Sequence, residues 1–330
     1  MPRKSKSKWD LYEDGISYSA LSKFVNDRER FRIRAVEGLA PGGSSEALEF
    51  GNVFHNLLEW YSSGVNSASV LQRRLSRYLR ETGADSNSTK LANQAFEVFI
   101  LYREYWDDKH MNFIEQEEKF RVSVPLSTGR SVPIVGRRDA IYRDTSPGQS
   151  GCLYLMENKT KAQIDHVWLE SALPFNLQTM MYCYSIQRDY NEIPAGVLYN
   201  VIRRPGLRQK VKETDRDFQK RIREDISSRP EHYFVRHRVD FAPNDLNNFV
   251  DRVLQPLLEQ VAVWWESIKH DPFDPWTLSD GSRNPHHFVR PFGIFDQLAN
   301  GKGDYFDYVT RGSRVGLVEV DTLFPELVDD

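Results

Sequence analysis

The chain has 330 residues, enough for a large core as one elaborated domain or two, and its net charge of −3 excludes a globally basic nucleic-acid binder. Two cysteines, Cys152 and Cys183, are too few for a disulfide framework and read as free buried thiols of a reducing compartment. No run reaches the length of a membrane span, and the basic N-terminal stretch lacks the apolar core of a signal peptide, so a cytoplasmic location is expected.

Residues 1–14 read as a basic flexible tail. Residues 17–36 read as one helix, with Ser17 or Ser19 as its N-cap. The next helix carries Gly51, His55 and Glu59, spaced by four and therefore on one face. Gly51 leaves room for a close neighbour. His55 offers a ring nitrogen, and Glu59 is placed to orient it or to pair with a nearby base. A helical insert follows at about 65–112, split by a polar turn at 82–89, and can form a wall over a site. Residues 119–126 alternate Phe120, Val122 and Val124 and read as a strand.

Residues 132–143 are rich in β-branched and apolar side chains, and 144–151 form a turn by composition. Residues 151–159 make the next strand, so the two runs read as a hairpin with Asp139 roughly opposite Glu157. Strand periodicity puts Leu153, Leu155, Glu157 and Lys159 on one face. Charges buried there without partners are costly. On these strands alone the pattern fits either a salt bridge among Asp139, Glu157 and Lys159 or a site for a hard cation. A helix bearing Gln178 and Tyr182 on one face comes next, then a strand at 195–202. Arg137 and Arg138 flank Asp139, Lys161 follows Lys159, and Arg203 and Arg204 follow the last strand. All five are candidate phosphate contacts. Beyond them lie a charged, solvated helix at 210–223, a strand at 232–239 and an amphipathic helix at 244–270. The segment 271–303 reads as irregular.

Four motifs occur in order: Gly51/His55/Glu59 on a helix, Gly136/Asp139 on a strand, Glu157/Lys159 on a strand and Gln178/Tyr182 on a helix. In this arrangement the chain resembles the PD-(D/E)XK nuclease superfamily, most closely its RecB-like branch with the CRISPR adaptation nucleases. The resemblance covers residues 15–205, with weaker echoes further on. It implies a mixed α/β fold with a restriction-endonuclease-like αβββαβ core, helical insertions and a C-terminal extension at 206–330 packed on that core.

The resemblance also implies metal-assisted hydrolysis of DNA phosphodiesters. His55, Asp139, Glu157 and the Asn158 backbone carbonyl would hold Mg²⁺ or Mn²⁺. Lys159, its pKa depressed by metal and burial, would act on the attacking water, and Gln178 and Tyr182 would position Lys159 or the DNA. Clustered relatives hold an iron–sulfur centre on one early and three late cysteines. Here those positions carry none, so no iron–sulfur cluster is expected. Phe31 is expected to pack instead against residues 284–298 through Phe288, Phe292 and Phe295. The implied setting is an exonuclease of recombination, repair or phage DNA processing in a bacterial or phage-infected cell. Its partners would be DNA and a separate helicase or recombination protein. The alternative is an inactive DNA-binding or structural subunit of a repair complex with the same fold.

Overall fold

The computed structural model describes residues 7–42, 46–148, 151–171, 173, 176–242, 244–269, 304–321 and 323–324. The chain opens with β1 (Ile16–Ser17), α1 (Tyr18–Asn26) and α2 (Arg28–Ala35). Ser17 caps α1 by accepting from the Ala20 amide. The single helix expected over 17–36 breaks at Asp27, whose carboxylate accepts from the Arg30 amide at 2.9 Å and caps α2. Then come β2 (Leu39–Pro41), α3 (Glu46–Ser62), α4 (Ala68–Glu81) and α5 (Ser86–Tyr105). The helical insert ends earlier than expected because β3 (Met111–Pro125) begins well before residue 119. β4 (Ser131–Asp144), β5 (Cys152–Lys161), α6 (His166–Ser171), α7 (Leu177–Tyr190) and β6 (Gly196–Arg203) follow. The remainder is α8 (Asp215–Ser228), β7 (Phe234–Asp240), α9 (Asp245–Phe249), α10 (Gln255–Ile268), α11 (Phe306–Arg311) and β8 (Leu317–Glu319).

Strand β4 is the spine of a mixed sheet. β3 runs antiparallel along one edge of it, from the Met111–Asp144 pair to the Pro125–Ser131 pair. The other edge is shared. β1 pairs in parallel with Ile134 and Val135, and β5 pairs antiparallel with residues 140–144. Between them, residues 136–139 have no ladder partner on that edge. β5 then pairs in parallel with β6, and β6 antiparallel with β7. The core sheet therefore extends past residue 205, and β7 belongs to it rather than to an appended extension. The reason is topological, since α8 and its loops return the chain to the open edge of β6.

Side-chain alternation sorts the two faces of β5 and β6. Leu153, Leu155, Val197, Tyr199 and Val201 join the large core formed with α1, α7 and α10. Ile202 packs in a second core with α3, α4, α5 and α8. The run from α9 to α10 passes through a wide π-turn at Val250–Leu254, just before Pro256. Proline has no N–H to continue the ladder and its ring crowds the preceding turn, which widens as a result.

Residues 7–14, expected in a flexible tail, contribute Trp9 and Leu11 to the core. The Trp9 indole donates to the Gly15 carbonyl at 2.8 Å and packs edge-on against Phe31 and Trp265. Phe31 is fully buried among Trp9, Phe24 and Trp264. Its expected partners at 284–298 lie outside the described residues. The chain ends nonetheless meet, because β8 pairs antiparallel with β2 and the Tyr305 hydroxyl donates to the Leu39 carbonyl at 3.0 Å.

Gly136 sits where β4 passes under Phe120 and Tyr182. A β-carbon there would lie 2.7 Å from two Phe120 ring atoms and 3.2 Å from Tyr182. Both rings are buried and packed edge-on at 5.2 Å, so they have little room to yield. Gly136→Ala is expected to cost about 1–3 kcal/mol, read as a lower urea midpoint at unchanged m-value. An unchanged midpoint would show that the crowding is relieved without cost.

Candidate active site

The unpaired stretch of β4 ends at Asp139, and the strands diverge there. The Asp139 carboxylate bridges the fork by accepting from the Asn158 amide at 2.6 Å. Across the other edge, β3 also breaks register. The pairs Gln116–Ala140 and Glu118–Arg138 form, while the intervening Glu117 takes a left-handed backbone with φ 54. That conformation is uncommon for a non-glycine residue and is held only where surroundings impose it. It points the Glu117 carboxylate at the same place as Asp139. From above, α3 brings His55, whose Nδ1 lies 3.3 Å from Glu117 Oε1 and 3.7 Å from Asp139 Oδ1. One ligand-type atom from each of His55, Glu117 and Asp139 lies within 4.8 Å of the others. Gly51 permits this approach, since a β-carbon there would come within 3.1 Å of the Thr160 hydroxyl on β5.

Glu157 and Lys159 complete the cluster from β5, facing α7. Lys159 Nζ donates to Glu157 Oε1 at 2.5 Å and to Gln178 Oε1 at 2.8 Å. The other Glu157 carboxylate oxygen, Oε2, is buried with no hydrogen-bond partner. A buried carboxylate oxygen without a partner is costly. Near it lies the group of His55, Glu117 and Asp139, of which His55 and Asp139 act on the Glu157 charge. This oxygen-rich set with one nitrogen fits a hard divalent cation.

The charges respond to one another. Burial raises the Glu157 pKa, with Lys159 pulling the other way and Asp139 adding to the rise. Burial also raises Asp139, against the attraction of His55. Burial disfavours the His55 imidazolium, but Asp139 and Glu117 outweigh it and raise its pKa to about 9. Two opposing effects set Lys159. Burial alone would depress it, yet the ion pair with Glu157 prevails and its pKa is raised.

The other expected residues divide. Gln178 reaches Lys159, whereas Tyr182 packs edge-on against Phe120 beneath Gly136. Asn158 points away from Lys159 and its side chain accepts from Asn200 Nδ2 at 2.6 Å. Glu59 accepts from Arg137 Nη2 at 3.1 Å rather than orienting His55, a task that falls to Glu117. Arg137 also pairs with Glu117 at 3.4 Å, so it is part of the site's internal charge balance. Arg138 is not placed to touch DNA. Its side chain is 3% exposed and pairs with Glu115 at 2.8 Å and Asp189 at 2.6 Å. By contrast, Lys161 and Arg203 are ladder partners, and the Arg204 amide donates to the Lys161 carbonyl at 2.7 Å. These three cations share one end of the sheet, two residues beyond Lys159. Burial and the nearby Lys159 charge lower the Lys161 pKa. Glu117 is the residue that sequence reasoning missed. Its one signal was an acid-rich stretch, Glu115, Glu117 and Glu118, just ahead of an apolar strand.

The family model for the PD-(D/E)XK nuclease superfamily matches residues 15–276. Over that span the chain belongs to the PD-(D/E)XK nuclease superfamily, whose members are nucleases that use divalent metals. A solved structure described as "Crystal structure of SSO0001" is similar at 18% identity, covering 70% of this chain and 98% of that one, with a TM-score of 0.28. Among curated proteins none matches this chain. No helix among the described residues is long and apolar enough to cross a membrane.

Two outcomes test this geometry. Arg138→Ala is expected to destabilise the fold by about 3–5 kcal/mol, the usual effect of removing one partner of a buried ion pair. The same variant should leave the salt dependence of DNA binding unchanged. A weaker salt slope with normal stability would instead make Arg138 a phosphate contact. The second outcome concerns His55, which must lose its proton before its ring nitrogen can bind a cation. Mn²⁺ affinity is expected to rise about tenfold per pH unit between about pH 7 and 9, and His55→Gln should flatten that rise. Calorimetry in buffers of different ionisation enthalpy would count the proton released. Equal slopes for the two proteins would exclude His55 as a ligand.

Proposed function

We propose that this chain is a divalent-metal-dependent deoxyribonuclease of the RecB-like branch, hydrolysing DNA phosphodiester bonds. The observation that supports it most is the meeting of His55, Glu117 and Asp139 at one gap in the sheet, with Asp139 tied to the Asn158 amide of β5 and Lys159 held against Glu157 and Gln178. His55, Glu117, Asp139, Glu157 and the Asn158 carbonyl hold the cation, with Mg²⁺ the natural ion and Mn²⁺ favoured by the ring nitrogen. Such a cation supplies charge neutralisation at the phosphate and a more acidic water.

The chain's own side chains do the rest. Gln178 accepts from Lys159 Nζ and keeps it beside Glu157, where the ammonium would orient the attacking water or the neutral amine would take that water's proton. Tyr182 supports α7 by packing on Phe120. Lys161, Arg203 and Arg204, grouped at the sheet end, hold the phosphodiester backbone. The finer reading is an exonuclease of recombination, repair or phage DNA processing, working in the cytoplasm with a separate helicase or recombination protein. In this reading the chain carries no iron–sulfur cluster.

End-labelled linear, circular and single-stranded DNA incubated with Mg²⁺, Mn²⁺ or EDTA tests the activity. Metal-dependent cleavage of linear but not circular substrates is expected. A protein that binds these DNAs and cuts none with either metal would be an inactive binding or structural subunit instead. Lys159→Ala is expected to lower cleavage by roughly 10²–10⁴-fold while DNA binding and metal affinity stay near wild type. Cleavage at the wild-type rate would assign the proton to another group, and parallel loss of binding would make Lys159 a phosphate contact.

A further inference from the structure

A cavity of about 400 Å³ opens directly beside the carboxylate cluster, and Glu117, Asp139 and Asn158 form its inner end. That volume falls within the roughly 300–1,000 Å³ of small-ligand sites. Its floor is the sheet, with Phe113, Ala140 and Met156. One wall is α3, through Leu58 and Tyr61, and another is the end of α5 with Trp106. The helical insert thus does build a wall over the site, and the wall is aromatic.

The aromatic side chains are held in place. The Arg103 guanidinium lies 4.4 Å from the Tyr61 ring centroid, and Arg236 lies 4.3 Å from that of Trp106. Arg236 is itself fixed by Asp108 and by the Tyr102 hydroxyl. Tyr61 is 37% exposed, so part of its ring remains open to a ligand. Arg103 is the one cation among the lining residues, and it is committed to Tyr61, while Glu117 and Asp139 make the inner end acidic. A phosphate has no reason to enter. A flat, neutral, polarisable group does.

Resting on the nuclease reading, we propose that this cavity takes one unpaired nucleobase from the nucleotide next to the scissile phosphate. The phosphate then lies at the carboxylate cluster, with Lys161, Arg203 and Arg204 holding the strand beyond it. A base stacked and paired in a duplex cannot enter a walled cavity without leaving its helix. The substrate class is therefore single-stranded DNA or a frayed end, not intact duplex. Aromatic walls without base-reading hydrogen bonds tolerate any sequence.

Binding tests this without cleavage, by fluorescence anisotropy of labelled oligonucleotides in EDTA. A single strand is expected to bind at least tenfold tighter than a blunt duplex of the same sequence. An abasic nucleotide moved along the strand should weaken binding about tenfold at one position and little elsewhere. Tyr61→Ala should abolish that positional effect and Tyr61→Phe should keep it, which a merely misfolded variant would not do. Trp106→Ala provides a second test on the opposite wall. Equal affinity for duplex and single strand, or no abasic position that matters, would overturn the proposal. Because the readout is binding, an inactive protein that still shows the abasic effect would defeat the nuclease reading and leave the base pocket standing.

Discussion

The carboxylates of Glu117 and Asp139 meet where β4 has lost its ladder partner, with Glu157 buried nearby, and most of the surrounding structure answers the repulsion among them. Like charges a few ångströms apart in a partly dry site cannot coexist without compensation. Each neighbouring element supplies some. α3 brings the His55 imidazolium, β5 brings Lys159, and β4 itself turns Arg137 onto Glu117 and Glu59. The compensation is incomplete, since Glu157 Oε2 keeps no partner.

The deficit can persist because the frame around it is stiff. Helices cover both faces of the sheet, so β5 and β6 are buried on each side. The aromatic group of Trp9, Phe24, Phe31, Trp264 and Trp265 joins the first residues to the last long helix. β2 and β8 then pair the two ends of the chain. The strained backbone at Glu117 is held by ladder pairs on both sides of it. Rigid strands, rather than loops, carry Glu117, Asp139, Glu157 and Lys159, which suits chemistry that depends on sub-ångström placement.

The position of the aromatic cavity gives the helical insert a purpose. α4 and α5 are not needed to complete the sheet, yet α5 ends where Trp106 and Tyr102 close over the gap. The same helix face that presents His55 continues to Leu58 and Ser62 on the cavity wall, three and seven residues on. The His55–Glu117–Asp139 group and the cavity thus adjoin one another between α3 and the sheet.

Much of this was legible in the sequence, because local periodicity carries it. Alternation in 119–124 and 151–159 marked strands, and the four-residue spacing of Gly51, His55 and Glu59 marked a helix face. The order of elements was read from the same periodicity, and the expectation that His55 and Asp139 lie together followed from the family resemblance. What the sequence could not show was decided by pairing between distant segments. The first half of β3 has no apolar alternation and becomes a strand only because β4 lies beside it. Glu117 enters the site through a register break visible only once the two strands are paired. Arg138 looked like its neighbour Arg137, but α7 and β3 bury it between Asp189 and Glu115. Lys159 and Glu157 share a strand face by spacing, but only the packed chain closes them to 2.5 Å and adds Gln178 as a second partner. Residue type and spacing set which groups are available, while burial and partner, which are properties of the packed chain, set the charge each one carries and the neighbour it serves.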